Sequence, residues 1–303
     1  MLKSLFDKEK IPAYFAGVIY SSVFGMTFAF TSKALEVMSP LDLPAVRFLF
    51  AALFMTLLYF LKVFRVDYKG KNVKKLIPLA LCQPILYFIC ETYGVKLTSS
   101  SLSGTMIATI PVVMCILGVF MLKEKPAFKQ WVFVLVSVLG AITVVFGAYS
   151  SDMGFDFTGF LFLFLAVFAS SMYGILAKSL SDEFSVTEIT FFMMWFACVI
   201  FGIISVVNNK GFGGYILSFK DFSVLLSVLF LGCIGSVVGF FGNTYTVSHL
   251  SIASASAFSN FTTVVSVIIG VFLLGESFGI LQMIGCFAIL IGVFGVNYFE
   301  NRS

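Results

Sequence analysis

The chain has 303 residues, of which 60% are hydrophobic and only 11% charged, with a net charge of +4. An ordinary soluble domain carries roughly a quarter charged residues, so a large soluble enzyme is excluded, and so small and dispersed a positive charge excludes a nucleic-acid surface. The mean hydropathy of +1.06 arises from apolar segments of about 20 residues separated by short polar breaks, the length a bilayer demands.

The chain opens as MLKSLFDKEKIP, a charged lead with no small-residue cleavage pattern, so no removable signal peptide is expected. Ten candidate spans follow, over 13–38, 42–64, 75–96, 99–121, 130–149, 157–179, 186–207, 222–247, 252–273 and 279–299. Lipid offers the backbone no hydrogen-bond partner, so continuously apolar segments of this length must be helices. The expected fold class is an all-α integral membrane protein of ten transmembrane helices. Lys3, Lys8 and Lys10, the run Lys62, Arg65, Lys69, Lys71, Lys74 and Lys75, and the group Lys123, Lys125 and Lys129 all fall on one side. That bias places both termini in the cytoplasm and the protein in the cell membrane. The connections at 150–156 and 208–221 are too short for a soluble domain, so function must reside among the helices.

An internal repeat organises the chain. Residues 91–124 return without a gap at 243–276, with Thr92-Tyr93 on Thr244-Tyr245, Gly118-Val119-Phe120 on Gly270-Val271-Phe272 and Glu124 on Glu276. Two units follow, 1–150 and 151–303, each with five spans. An odd number inverts the second unit relative to the first, an arrangement typical of transporters. Glu124 and Glu276 then lie on opposite membrane faces and cannot form an acid–base pair.

With these residues in view, the chain resembles the drug/metabolite transporter superfamily, specifically its EamA-type ten-helix family. The resemblance rests on Gly25, Lys33, Ser39-Pro40 and Arg47-Phe48, on the stretch from Pro111 to Glu124, on Leu274-Gly275-Glu276, and on Gly285, Gly292 and Gly295. Thr263 stands where the family often has a proline matching Pro111, Lys123 where it usually has glycine, and Glu91 where no fixed charge is expected. The resemblance implies secondary transport by alternating access, most often export of amino acids, other metabolites or drugs. Uptake, exchange and lipid-head-group flipping are the alternative readings.

Three ionisable residues fall inside spans: Lys33, Arg47 and Glu91. Each is about five residues, roughly 7–8 Å, below the external end. Charges at such depth usually face a cavity or a partner. The expectation is a substrate-binding or gating cluster in which Glu91 bridges the cations, a cation meets a carboxylate, and Glu91 meets an amine or a proton. The alternative for Lys33 and Arg47 is snorkelling to the surface. Tyr87 lies one turn before Glu91 and shares its face. Asn243 is the counterpart of Glu91, Asn260 shares a helix face with Ser256, and both are further site candidates. Lys178 and Asn243 are assigned to an inner gate, and Tyr20, Tyr93, Tyr173 and Trp195 are candidate pathway aromatics. His249 reads as a solvated turn residue.

Gly232, Gly235, Gly239 and Gly242 form a small face suited to close helix contact, with a dimer interface as the other use of such a face. The six cysteines read as buried hydrophobes rather than disulfides or ligands. No Walker motif, catalytic group, metal site or cofactor is expected. The partners implied are a small-molecule substrate and the lipid bilayer, with coupled protons or exchanged substrate. No nucleic acid is implied, and monomer and homodimer both fit.

Overall fold

A computed structural model describes residues 11–98, 100–107, 109–121, 128–150, 156–250, 255, 258, 261–262, 265–266, 268–272, 275 and 279–300. The protein is an all-α membrane protein, with no strand among the described residues. Six helices among them are long and apolar enough to cross a bilayer. They are α1 (Ile11–Leu35), α2 (Asp42–Phe60), α3 (Val73–Leu97), α7 (Phe157–Leu180), α8 (Val186–Asn208) and α10 (Phe222–His249). The expected span over 99–121 is formed as two shorter helices, α4 (Ser100–Ile107) and α5 (Ile110–Met121). Between them Thr109 folds its hydroxyl onto the Met106 carbonyl at 2.7 Å, a local bond that competes with the helix ladder. The remaining elements are α6 (Phe128–Ser150), the short α9 (Gly213–Leu217) and α11 (Ile280–Glu300). The described residues from 255 to 272 are helical.

Helices of the first half pack on helices of the second: α1 on α10, α2 on α8, α3 on α7 and α6 on α11. The α2–α8 seam is fixed near both ends by a serine-x-x-acid start. Ser39 Oγ donates to Asp42 and accepts from the Asp42 N–H at 3.1 Å. The buried Asp42 carboxylate then crosses the seam, accepting at 2.6 Å each from Ser205 of α8 and from Asn209, which caps its C-terminus. At the other end Ser185 and Glu188 form a capping box, which satisfies two orphan N–H groups reciprocally. Glu188 also accepts from the Asp67 N–H at 3.1 Å and pairs with Lys71, both in the connection after α2. Nearby, Lys75 donates to Glu183 and holds that carboxyl below the usual carboxylate range.

Two spans are not regular helices. In α3 the segment Leu81–Leu86 is π-helical and Gln83 has φ −145° and ψ 118°. Pro84 supplies the cause, because it lacks an N–H and pushes the preceding residue out of helical conformation. The Gln83–Pro84 peptide is cis. In α10 the segment Phe230–Val238 is also π-helical.

The glycine face of α10 serves helix packing. A Cβ at Gly232 would lie 2.8 Å from the Arg47 carbonyl oxygen, one at Gly239 2.4 Å from the Phe24 ring, and one at Gly242 2.9 Å from Tyr20 Cβ. Only glycine lets α10 approach α1 and α2 this closely. Gly232→Ala should therefore lower stability by about 1–3 kcal/mol through overpacking, despite the roughly 1 kcal/mol helix-propensity gain of alanine. The measurement is the unfolding temperature in detergent. An unchanged or raised temperature would mean that α10 does not press on α2 at this point.

Candidate functional site

A cavity lies between the halves, walled by α1, α2, α3, α4, α5, α7 and α10, with Ala255 and Thr262 also lining it. It leaves about 50 Å³ open to the centres of water-sized molecules, room for a few waters. Arg47, Tyr87, Glu91 and Asn243 all line it. Four residue positions chosen from sequence are thus brought together from α2, α3 and α10.

Arg47 is 2% exposed and does not snorkel to the surface. Its Nε donates to Ser236 Oγ at 2.8 Å, and its guanidinium carbon lies 4.3 Å from the centre of the Phe88 ring. A guanidinium over an aromatic face is stabilised by cation–π attraction, most strongly where water is excluded. Glu91 is 1% exposed, and its Oε2 has no hydrogen-bond partner. Among the described residues no ion pair within 4.0 Å joins Arg47 to Glu91. The cavity therefore contains two ionisable groups, a guanidinium and a carboxyl, that share one space without an ion pair between them.

Lys33 corrects the expectation of a charged trio. It is exposed and pairs with Glu36 at 2.7 Å in the last turn of α1. The long stem carries the ammonium to the surface, where Glu36, three residues on, is its partner. Glu91 consequently bridges neither cation. Asn260, Glu124 and Glu276 lie outside the described residues.

The structure adds Gln83, Thr27 and Ser170 to the lining. Ser170 Oγ donates to Gln83 Oε1 at 3.3 Å, linking the break in α3 to α7. The signal for Gln83 was present as a Gln-Pro pair inside an apolar span, since proline marks most sharp helix irregularities. Of the candidate aromatics, Tyr20 and Tyr173 line the cavity. Tyr173 shares a 2.6 Å hydroxyl bond with Thr244, and Tyr20 donates to the Ala255 carbonyl at 3.2 Å. Tyr93 instead stacks on Phe162, and Trp195 donates to Thr56 from an exposed position.

Lys178 is placed by helix chemistry. Its Nζ donates to the carbonyls of Val247, Ser248 and Leu250 at 3.2, 3.4 and 3.0 Å. A cation there meets the orphan carbonyls and the negative dipole end of α10. His249 is exposed and stacks on Tyr245, as a solvated turn residue would. Among the described residues no group of His, Cys, Asp and Glu could hold a metal ion.

Known proteins resemble this chain. The EamA-like transporter family matches residues 11–146 and 157–298. YcxC of Bacillus subtilis (strain 168), an uncharacterized transporter, is 31% identical over 292 residues, covering 95% of this chain and 94% of its own. YetK of the same organism, also an uncharacterized transporter, is 26% identical and covers 95% of this chain and 87% of its own. An uncharacterized transporter of Archaeoglobus fulgidus is 22% identical over 89% of this chain and 93% of its own. A solved crystal structure, 13% identical, has the same fold with a TM-score of 0.67 over 97% of both chains.

The two lysines make opposite predictions. Lys178→Met strips three carbonyls of a charged donor and should cost about 1–3 kcal/mol, seen as a lower unfolding temperature in detergent. Lys33→Met should leave that temperature unchanged, because its pair is solvated. Equal effects of the two substitutions would refute the assignment of Lys178 as the cap of α10.

Proposed function

This chain belongs to the EamA-like transporter family, and on that premise we propose that it is a secondary active transporter exporting a small organic metabolite, such as an amino acid, an amine or a related compound, by alternating access. The observation that carries the reading is the cavity between the halves, with the Arg47 guanidinium and the Glu91 carboxylate both buried in it and not in contact. A charge at the bilayer centre costs about 3 kcal/mol on insertion scales, and less toward the surface. A protein retains two such charges, apart, where a guest completes them: Arg47 meets an anionic group, and Glu91 meets an amine or a proton. Tyr87, Asn243 and Gln83 supply neutral hydrogen-bonding groups around the guest.

Ten spans in two inverted units, 1–150 and 151–303, complete this proposal. The helix pairing supports it. Exchanging the halves turns the α1–α10 contact into the α7–α3 contact, and it returns α2–α8 and α6–α11 to themselves. In this arrangement both termini are cytoplasmic, and one unit rocks against the other around the cavity.

The test is counterflow in proteoliposomes with a panel of amino acids, amines and nucleosides. At least one panel member should exchange. Arg47→Met and Glu91→Gln should each reduce that exchange about tenfold or more, as expected when a group touching the guest is lost. Lys33→Met should stay within about twofold of wild type. Exchange of no panel member at any pH, or equal losses in all three variants, would overturn the proposal.

A further inference from the structure

The cavity holds Arg47 in one orientation, and the group that sets it comes from the other half of the protein. Ser236 is fully buried in the π-helical segment of α10. Its hydroxyl donates to the Leu231 carbonyl, five residues earlier, at 3.0 Å. A hydroxyl has one proton and two lone pairs. With the proton committed to Leu231, a lone pair is left for the Arg47 Nε–H, which it accepts at 2.8 Å. Phe88 covers the guanidinium at 4.3 Å. Among the described residues, neither terminal nitrogen of Arg47 has a hydrogen bond to the protein. Gly235 leaves room there, since a Cβ would approach Nη2 to 3.4 Å.

From this we infer that Ser236 is a positioning residue, which aims the terminal edge of the Arg47 guanidinium into the cavity as a subsite for an oxyanion group of the guest. The side-on edge, Nε with its neighbouring nitrogen, is closed because Nε is committed. An incoming carboxylate or phosphoryl oxygen must bind end-on across the two terminal nitrogens. The tether also joins recognition to the irregular segment of α10, because Ser236 is itself bonded to the Leu231 carbonyl within that segment. The inference rests on reading the cavity as a guest site, but it is tested without knowing the guest.

The chain has three arginines, Arg47, Arg65 and Arg302, so arginine-selective nitrogen NMR in detergent is feasible. A buried, hydrogen-bonded Nε–H should give one slowly exchanging resonance that Arg47→Lys removes. Ser236→Ala should abolish its slow exchange, Ser236→Cys should weaken it, and Ser236→Thr should restore it. Sodium acetate, compared with sodium chloride at equal ionic strength, should shift the wild-type resonance saturably. Ser236→Ala should require about tenfold more acetate, because an unaimed guanidinium loses end-on geometry. Ser236→Cys keeps the volume of the site and provides the same comparison if the alanine variant unfolds early. An unchanged resonance in both variants, or a wild-type acetate shift no larger than that of chloride, would overturn the inference. Failure of counterflow with the acetate response intact would count against the transport reading alone. Retained counterflow with no acetate response would count against the subsite alone.

Discussion

The centre of this protein depends on two ionisable groups, the Arg47 guanidinium and the Glu91 carboxyl, buried in one cavity yet not joined in an ion pair. A direct Arg47–Glu91 contact would satisfy both groups and leave the cavity inert toward ionic guests. The structure prevents it by giving Arg47 other partners: a serine hydroxyl on Nε and an aromatic face at 4.3 Å. Both are weaker than a carboxylate, so the guanidinium is held in place without being neutralised. Glu91, with one oxygen lacking any hydrogen bond, bears the uncompensated part of the burial. Such a group persists only where the surrounding packing over-determines it. Phe88 packs edge-on against Phe48 and tilted against Phe240, and Phe88 and Phe240 are themselves part of the cavity wall.

The helix irregularities belong to the same constraint. A regular α-helix spends every backbone group on itself and offers a cavity only side chains. The breaks in α3 and α10 place Gln83 and Ser236 where a polar side chain can reach across to the other half. Each break thus contributes one polar link between the two halves of the chain, beside those of the α2–α8 seam. The seam between α2 and α8 is tied by different chemistry at its two ends. The Asp42 end uses neutral donors, and the Glu188 end uses the Lys71 ammonium.

The fold class was legible because a bilayer imposes a length and an apolar composition that soluble packing does not. Arg47, Tyr87, Glu91 and Asn243 were legible because polar groups at membrane depth are rare and usually face a cavity. Lys33 was misread for a physical reason. Sequence fixes its depth but not whether its long stem points inward or toward a neighbour such as Glu36, and the two choices differ by a rotamer. Ser236 and Gln83 were passed over because a serine or glutamine in an apolar run is usually a local hydrogen-bonder. Its reach across the fold is a tertiary fact that spacing does not encode.

The glycine stripe of α10 joins the two kinds of reading. From sequence it is a packing motif, and at Gly232, Gly239 and Gly242 the contacts are helix backbone and aromatic side chains. At Gly235 the neighbours are Thr27 and the Arg47 terminal nitrogen, at 2.9 and 3.4 Å from a hypothetical Cβ. Close approach of α10 is what brings Ser236 within 2.8 Å of Arg47, and the missing side chain at 235 is what keeps that approach from closing off the guanidinium edge. The charge requires both the contact and the gap, so one stripe of small residues supplies the closeness that stabilises the bundle and the space that leaves its central cation free to bind.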